Sequence, residues 1–142
     1  MSSVLPDPAT PYGQRVAQRL RDEIVIWLTT VSRDGTPQPN PVWFLWDGTS
    51  ILIYTLADAV RLAHIARNPR VSLHLESGGK GNDIIILTGE VRVTTDDPPS
   101  DQHPDYLAKY RNAMIRVSGS EAAFAAEYRV TLRVTPAKVR GF

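Results

Sequence analysis

The sequence predicts a single, mainly β domain in which six or seven mostly antiparallel strands form a closed sheet with helices at its periphery. A length of 142 residues suits one hydrophobic core, so we expect one domain over residues 1–142. Asp34-Gly35 and Asp47-Gly48 separate apolar, β-branched segments, and Asp-Gly is a strong hairpin signal. Residues 129–139 alternate between apolar and polar side chains, as a half-buried strand does.

The predicted strands are bounded by these turns and by segments rich in proline or glycine. Pro37, Pro39 and Pro41 cannot donate hydrogen bonds to a neighbouring strand, so residues 36–40 are predicted to lie at a sheet edge or in an irregular strand. Gly89, inside the longest predicted strand, indicates a bulge or a close backbone approach. The strands are predicted over residues 24–31, 42–46, 50–56, 71–76, 83–95 and 129–139.

Helical spacing is found in four segments. Thr10 is a suitable N-cap before Pro11, and residues 10–23 carry apolar side chains at helical intervals. Asp58 is predicted to cap a short helix over 59–66, which ends before Pro69. Two further helices are predicted over 104–114 and 120–126. Residues 1–11 are predicted to form a flexible amino terminus.

Composition excludes several function classes. The chain has no cysteine, which rules out disulfides, thiolate metal sites and cysteine nucleophiles. Its net charge is +1 and its basic and acidic residues are interspersed, so a nucleic-acid surface is not indicated. No apolar run approaches the roughly 18 residues that a membrane helix needs, and the first residues do not resemble a secretory signal. We therefore expect no membrane association and a cytoplasmic location.

Motifs for catalysis by the protein's own side chains are missing from the sequence. His64, His74 and His103 do not have the spacing of metal ligands, and no Ser-His-Asp pattern is present. The glycine-rich segment 78–81 lacks the strand-to-helix context of a Rossmann or P-loop site. We therefore expect neither a metal nor a side-chain nucleophile.

A basic helix start is the clearest chemical signal. Arg61 lies in the first turn of the predicted helix 59–66, and Arg67 and Arg70 follow it. A helix start beside guanidinium groups suits a phosphate, although solvated surface arginines give the same pattern. Trp27 and Trp43, on neighbouring predicted strands, would either border such a site or pack in the core.

Four segments resemble the pyridoxamine-phosphate-oxidase-like split-barrel superfamily, and within it the actinobacterial branch that uses the deazaflavin coenzyme F-420. They are IWLTTVSRDGTPQPNPVWFLWDG, IYTLADAVRLAHIARNPRVSLHLE, ILTGEVRV and VTLRVTPAKVRGF, and the resemblance extends over about residues 12–142. It implies a split β-barrel that dimerises and binds its cofactor in a cleft between subunits. The reaction implied is hydride transfer between F-420 and an electron-poor organic substrate.

The resemblance also implies which residues bind the cofactor. Arg61 matches the position that holds the cofactor phosphate, and Arg67 would add positive charge. Asn40, Pro41, Val42 and Trp43 would lie along the ring, with Tyr54 and Thr55 facing the linker and phosphate. Lys80, Asn82 and Asp83 match the loop that reaches the neighbouring subunit's cofactor.

Two alternative functions share this fold. The first is an FMN-binding flavoprotein, although the further basic residues and carboxyl-terminal segment typical of pyridoxamine-phosphate oxidases are not present. The second is a carrier that binds the deazaflavin without turnover. If the protein is an enzyme, Tyr110 is the candidate proton donor.

Overall fold

The computed structural model describes residues 4–142. Residues 1–3 of the predicted flexible amino terminus lie outside the described residues, and Leu5 packs against the core. The helices are α1 Pro11–Asp22, α2 Val60–Arg67, α3 Pro104–Ser118 and α4 Glu121–Glu127, with a short 3-10 helix at Ser100–Gln102. The strands are β1 Val25–Val31, β2 Pro37–Trp43, β3 Leu45–Trp46, β4 Ile51–Thr55, β5 Arg70–His74, β6 Ile85–Thr94 and β7 Val130–Gly141.

The seven strands form one antiparallel sheet that curls into a half-barrel, which confirms the predicted split β-barrel. The spatial order is β2-β1-β5-β6-β7-β4-β3. Consecutive strands β2 and β3 therefore lie at opposite edges of the sheet, although Phe44 alone separates them in the chain. A single residue cannot span a flat sheet of this width, so the two edges must come together at Phe44.

Gly89 allows the longest strand pair to bend. The pairing of β6 with β7 shifts register between Thr88 and Gly89, as the sequence predicted. A Cβ atom at Gly89 would lie 2.2 Å from the carbonyl oxygen of Thr135, which is too close for any other residue. The bulge and the close backbone approach are therefore one feature, and it strengthens the curl of the sheet.

Two hydrophobic clusters stabilise the two faces of the curled sheet. The first fills the barrel and includes Leu28, Ile53, Leu87 and Leu132, each at most 1% exposed. The second lies between β3–β4 and the helix pair α3–α4. It consists of Leu45, Leu52, Tyr54, Tyr106, Tyr110, Met114 and Phe124. The second cluster is rich in aromatic rings, and these rings position the site described below.

Two local predictions were wrong. The predicted strand 42–46 is broken at Phe44, because the chain crosses there from one sheet edge to the other. Asp58 does not cap α2, since the N-cap position is Ala59 and no side chain of residues 4–142 caps this helix end. Asp58 lies one residue before the N-cap position, so the N–H groups of Val60 and Arg61 have no hydrogen-bond partner among the described residues.

An ion-pair network on Arg133 fixes the loop after β6. Its guanidinium contacts the carboxylates of Asp47 and Asp97, the first at 2.6 Å. Desolvation alone would raise the pKa of Asp47, but hydrogen bonds from Ser50, Thr49 and Arg133 lower it to about 2. The next residue along the fixed loop, Pro98, accepts a hydrogen bond from Tyr54 at 2.7 Å. The network therefore helps to orient a side chain of β4 that borders the cavity.

Candidate functional site

A cavity of about 760 Å³ opens between β2, the carboxyl end of β4, α2 and the helix pair α3–α4. Its volume falls within the roughly 300–1,000 Å³ of small-molecule sites. Arg61 and His64 are the cavity's basic side chains, and no carboxylate borders it among residues 4–142. The lining consists of Val25, Gln38, Asn40, Pro41, Val42, Trp43, Tyr54, Thr55, Leu56, Ala59, Val60, Arg61, His64, Tyr106, Val117, Phe124 and Tyr128.

The cavity brings together most of the residues predicted to bind a cofactor. Those that border it are Asn40, Pro41, Val42, Trp43, Tyr54, Thr55 and Arg61. Those that do not border it are Arg67, Lys80, Asn82, Asp83 and the candidate proton donor Tyr110. One subunit therefore combines the predicted ring-binding strand with the predicted phosphate arginine, but not with the glycine-rich loop.

β2 borders the cavity as an edge strand. All seven of its residues pair with β1, and they include Pro37, Pro39 and Pro41. Along an antiparallel strand, one residue directs its N–H and C=O groups toward the partner strand, and the next residue directs them away from it. Prolines have no N–H to donate to β1, so these three must face the free edge. That edge presents carbonyl acceptors at the prolines, and its first N–H donor is at Trp43.

Arg61 is a half-buried cation with a neutral partner. It lies in the first turn of α2, and its Nη1 donates a hydrogen bond to Thr55 Oγ1 at 2.7 Å. Among the described residues its guanidinium forms no ion pair with a carboxylate. Desolvation lowers the pKa of Arg61, and Tyr128 partly opposes this shift. Such a cation is destabilising until an anion approaches it.

His64 is a cavity residue for which the sequence analysis gave no role. It lies three residues after Arg61, which places both side chains on one face of α2. It is buried, and its Nδ1 lies 3.0 Å from the hydroxyl oxygen of Thr30 on β1. This contact holds α2 against the barrel. The i, i+3 spacing from Arg61 is the signal that could have identified His64.

Aromatic rings form the wall opposite α2. Trp43 is stacked on Tyr110 at 5.0 Å between ring centroids and on Phe124 at 5.4 Å. Phe124 is stacked in turn on Tyr128 at 4.4 Å. No sequence pattern indicated a functional role for Phe124 or Tyr128. The spacing of Phe124 and Tyr128 along α4 does not show that this helix folds back over β2. The helical pattern alone could therefore not place these two residues in the site.

Tyr110 holds the strand crossing in place from behind this wall. It is 1% exposed, and its hydroxyl accepts a hydrogen bond from the N–H of Phe44 at 2.9 Å. The same hydroxyl lies 2.7 Å from the carbonyl oxygen of Ile24. Desolvation raises the pKa of Tyr110 well above its usual range. Beside it, Lys109 donates to the carbonyl of Phe44 at 3.0 Å, and burial lowers the lysine pKa to about 8.

The remaining predicted residues lie away from the cavity. Arg67 is exposed at the last position of α2. Lys80 and Asn82 are exposed in the loop between β5 and β6. Asp83 ends this loop with a φ of 56°, and its carboxylate forms ion pairs with Arg15 and Arg19 of α1.

Within the described residues 4–142, no group of three or more metal-binding side chains is close enough to hold a metal ion. Also within them, no helix is both long enough and apolar enough to cross a bilayer.

Solved structures of other proteins share this fold. An F-420 reductase is 25% identical, with a TM-score of 0.65, and the match covers 87% of this chain and 94% of that chain. General Stress Protein 26 from Bacillus anthracis str. Sterne is 17% identical, with a TM-score of 0.68 and coverage of 89% of each chain. An FAD-binding protein from Mesorhizobium loti is 18% identical, with a TM-score of 0.61 and coverage of 89% and 88%.

Sequence comparison defines the family. No curated protein matches the chain in sequence. The family model described as pyridoxamine 5'-phosphate oxidase matches residues 13–142, which is nearly the whole chain and includes every strand, the cavity and the glycine-rich loop. The protein therefore belongs to the pyridoxamine 5'-phosphate oxidase family of split β-barrels.

Proposed function

We propose that the protein is an oxidoreductase that binds the deazaflavin coenzyme F-420 in this cavity and uses it to reduce an electron-poor organic substrate. The observation that carries the proposal is Arg61, a half-buried cation that lacks a carboxylate partner among the described residues. An anionic group of a ligand would supply that partner. The 25% identity to an F-420 reductase over 87% of the chain favours F-420 among the family's cofactors.

One part of the cavity lining suits the phosphate of such a cofactor, and another part suits its ring. Arg61 and the Thr55 hydroxyl would hold the phosphate, with the free N–H groups of the first turn of α2 nearby. The edge of β2, from Asn40 to Trp43, would lie along the ring, where its carbonyl groups accept hydrogen bonds. Because aromatic and apolar residues form most of the remaining lining, the site would exclude water around the ring.

When bound and reduced, F-420 supplies a hydride, and the acceptor double bond gains that hydride together with a proton from solvent. The protein's part is to bind, orient and shield. Trp43 is stacked on both Tyr110 and Phe124, so its ring is fixed at the cavity wall. A rigid wall of this kind lowers the entropic cost of positioning two reactants.

We also propose that the protein is a homodimer in which the loop before β6 reaches the partner's cofactor. Lys80 and Asn82 are exposed and do not border their own subunit's cavity. Arg19 donates hydrogen bonds to the backbone carbonyls of Glu76 and Asp83, at the two ends of the loop. The loop is therefore anchored at its base while Lys80 is free to contact a neighbouring molecule.

The proposed function is tested by titrating the purified protein with F-420 and, separately, with FMN. We expect F-420 to bind more tightly than FMN, and reduced F-420 on the protein to be oxidised by at least one member of a panel of enones and quinones. Fluorescence measures binding, and stopped-flow absorbance measures oxidation. Tighter binding of FMN would identify the flavin, instead of F-420, as the cofactor. Tight F-420 binding without oxidation by any acceptor would indicate a carrier.

The dimer is tested by complementation between two variants that are each expected to bind F-420 more weakly. Arg61→Ala and Lys80→Ala subunits are co-expressed with different tags, and the mixed dimer is purified through both tags. If Lys80 acts across the interface, one of the two sites in the mixed dimer has both residues intact. We expect that site to bind F-420 with wild-type affinity, at about half the wild-type stoichiometry. A mixed dimer with no intact site, or a monomer by light scattering, would contradict the proposal.

A further inference from the structure

Lys109 holds a half-buried amine against the strand crossing. It lies on α3, and its Nζ donates a hydrogen bond to the carbonyl oxygen of Phe44 at 3.0 Å. The same nitrogen lies 4.0 Å from the centroid of the Phe44 ring and 5.2 Å from that of the Tyr110 ring. One carbonyl and two rings therefore fix the amine in place. Lys109 does not border the cavity, and the proposed function gives it no role.

Among the described residues, the ammonium of Lys109 forms no ion pair with a carboxylate. The negative charges of Asp22 and Glu23, at the carboxyl end of α1, act on it. Both carboxylates already form ion pairs with arginines of α1, Arg21 and Arg19. A cation removed from water without a counter-ion is destabilised, even though the ring faces attract it. The neutral amine is therefore favoured here more than in a solvated lysine.

The pKa of Lys109 agrees with this environment. Desolvation lowers the pKa to about 8, although Asp22 and Glu23 oppose the shift. Near pH 8 about half of such an amine is neutral, whereas a lysine with the ordinary pKa of ~10.4 is almost entirely charged. Burial acts on the charged form and withdraws no electron density from the neutral nitrogen. A desolvated lysine of this kind is an activated nucleophile.

We propose that Lys109 is a site of acylation by small acyl donors of the acyl phosphate class. The neutral nitrogen attacks the acyl carbon, the bond from that carbon to the phosphate oxygen breaks, and the phosphate leaves with the bonding electron pair. The nitrogen loses its proton to solvent, so the step needs no oxidant or reductant. The product is an uncharged amide, which removes the desolvated cation and keeps one N–H that can donate to Phe44.

An acyl group suits this position better than a group that brings a negative charge. Carbon dioxide would convert the same amine into an anionic carbamate, which the charges of Asp22 and Glu23 would repel. A small acyl group such as acetyl is uncharged, and its methyl group would pack against the rings of Phe44 and Tyr110. The surroundings of the amine therefore favour a neutral product.

The test measures acetylation of the intact, ligand-free protein by acetyl phosphate. The chain has three lysines, and the exposed Lys80 and Lys138 are controls within the same molecule. Mass spectrometry after digestion gives the rate at each lysine. Near pH 8 we expect Lys109 to react about fivefold faster than either control. In guanidinium chloride, where the fold is lost, we expect the three rates to agree within about twofold.

Two outcomes of this comparison would overturn the proposal. One is a rate at Lys109 that does not exceed the rates at Lys80 and Lys138 in the folded protein. The other is a preference for Lys109 that persists in guanidinium chloride, because the preference would then not depend on the fold. Neither outcome involves F-420, so this inference and the proposed function stand or fall separately.

The pH dependence of the rate is a second readout that needs no variant. In the folded protein, the rate at Lys109 should rise through pH 8 and level off above about pH 9, where deprotonation is nearly complete. In guanidinium chloride, the same amine should level off only above about pH 11. A rate that still rises beyond about pH 10 in the folded protein would contradict the proposal, since the amine would then titrate as an ordinary lysine.

Two matched variants assign the fast reaction to one residue. Lys109→Arg keeps the positive charge but offers no amine for acylation, and it should abolish the fast phase in which the intact protein gains the mass of one acetyl group. Lys138→Arg makes the same change at an exposed position and should keep that phase. A fast phase that survives in Lys109→Arg would show that another group reacts, and would overturn the proposal.

Discussion

Replacing Arg61 with alanine is expected to weaken F-420 binding by about 1 to 3 kcal/mol, the cost of losing a charged hydrogen bond, which corresponds to a roughly 5- to 150-fold rise in Kd. The same change should not destabilise the ligand-free protein. Arg61 is half-buried, and its partner is a neutral hydroxyl, so its removal relieves a desolvated cation. Fluorescence titration measures the first effect, and thermal unfolding measures the second.

Two matched variants distinguish a specific contact of Arg61 with the cofactor from a general effect of positive charge on F-420 affinity. Arg67→Ala removes an exposed arginine from the other end of α2 and should change the Kd by less than about threefold, because its charge is screened by solvent. Arg61→Lys keeps the charge but loses the planar guanidinium and should give an intermediate affinity. If Arg61→Ala bound F-420 as tightly as the wild type, the cavity would not be the phosphate site.

Replacing Tyr110 with phenylalanine is expected to lower the free energy of unfolding by about 1 to 3 kcal/mol. The change removes the hydroxyl that accepts from the N–H of Phe44 at 2.9 Å, at a residue that is 0% exposed. That N–H would be left buried without its partner, at the point where the chain crosses between sheet edges. Urea unfolding measures the loss. Tyr110 lies behind the cavity wall, so we expect the pH dependence of substrate reduction to be unchanged.

Tyr106→Phe is the control for this prediction. Tyr106 lies on the same helix and is also 1% exposed, but its hydroxyl has no hydrogen-bond partner among the described residues. We expect Tyr106→Phe to change stability by less than about 0.5 kcal/mol. A Tyr110→Phe variant that kept its stability but lost a titration from its pH–rate profile would instead favour the role of proton donor.

The strands and turns could be predicted because they depend on local signals. The Asp-Gly turns, the alternation over 129–139 and the bulge at Gly89 each have a local physical cause, and all correspond to features of the sheet. The break at Phe44 could not be predicted in this way. It exists because β2 and β3 lie at opposite edges of the strand order and the curl of the sheet brings these edges together, and no residue near Phe44 shows where the other edge lies.

The sequence alone predicts a mainly β protein with a proline-rich edge strand and an arginine at the start of a helix, and its family resemblance implies a split barrel. The folded structure was needed to show that this strand and Arg61 border one cavity. It also decided that Phe124 and Tyr128 complete the cavity's aromatic wall and that Tyr110 lies behind it. The reason is distance along the chain. Periodicity and turn signals report on neighbours a few residues apart, whereas a stack such as Trp43–Phe124 joins residues that only folding brings together.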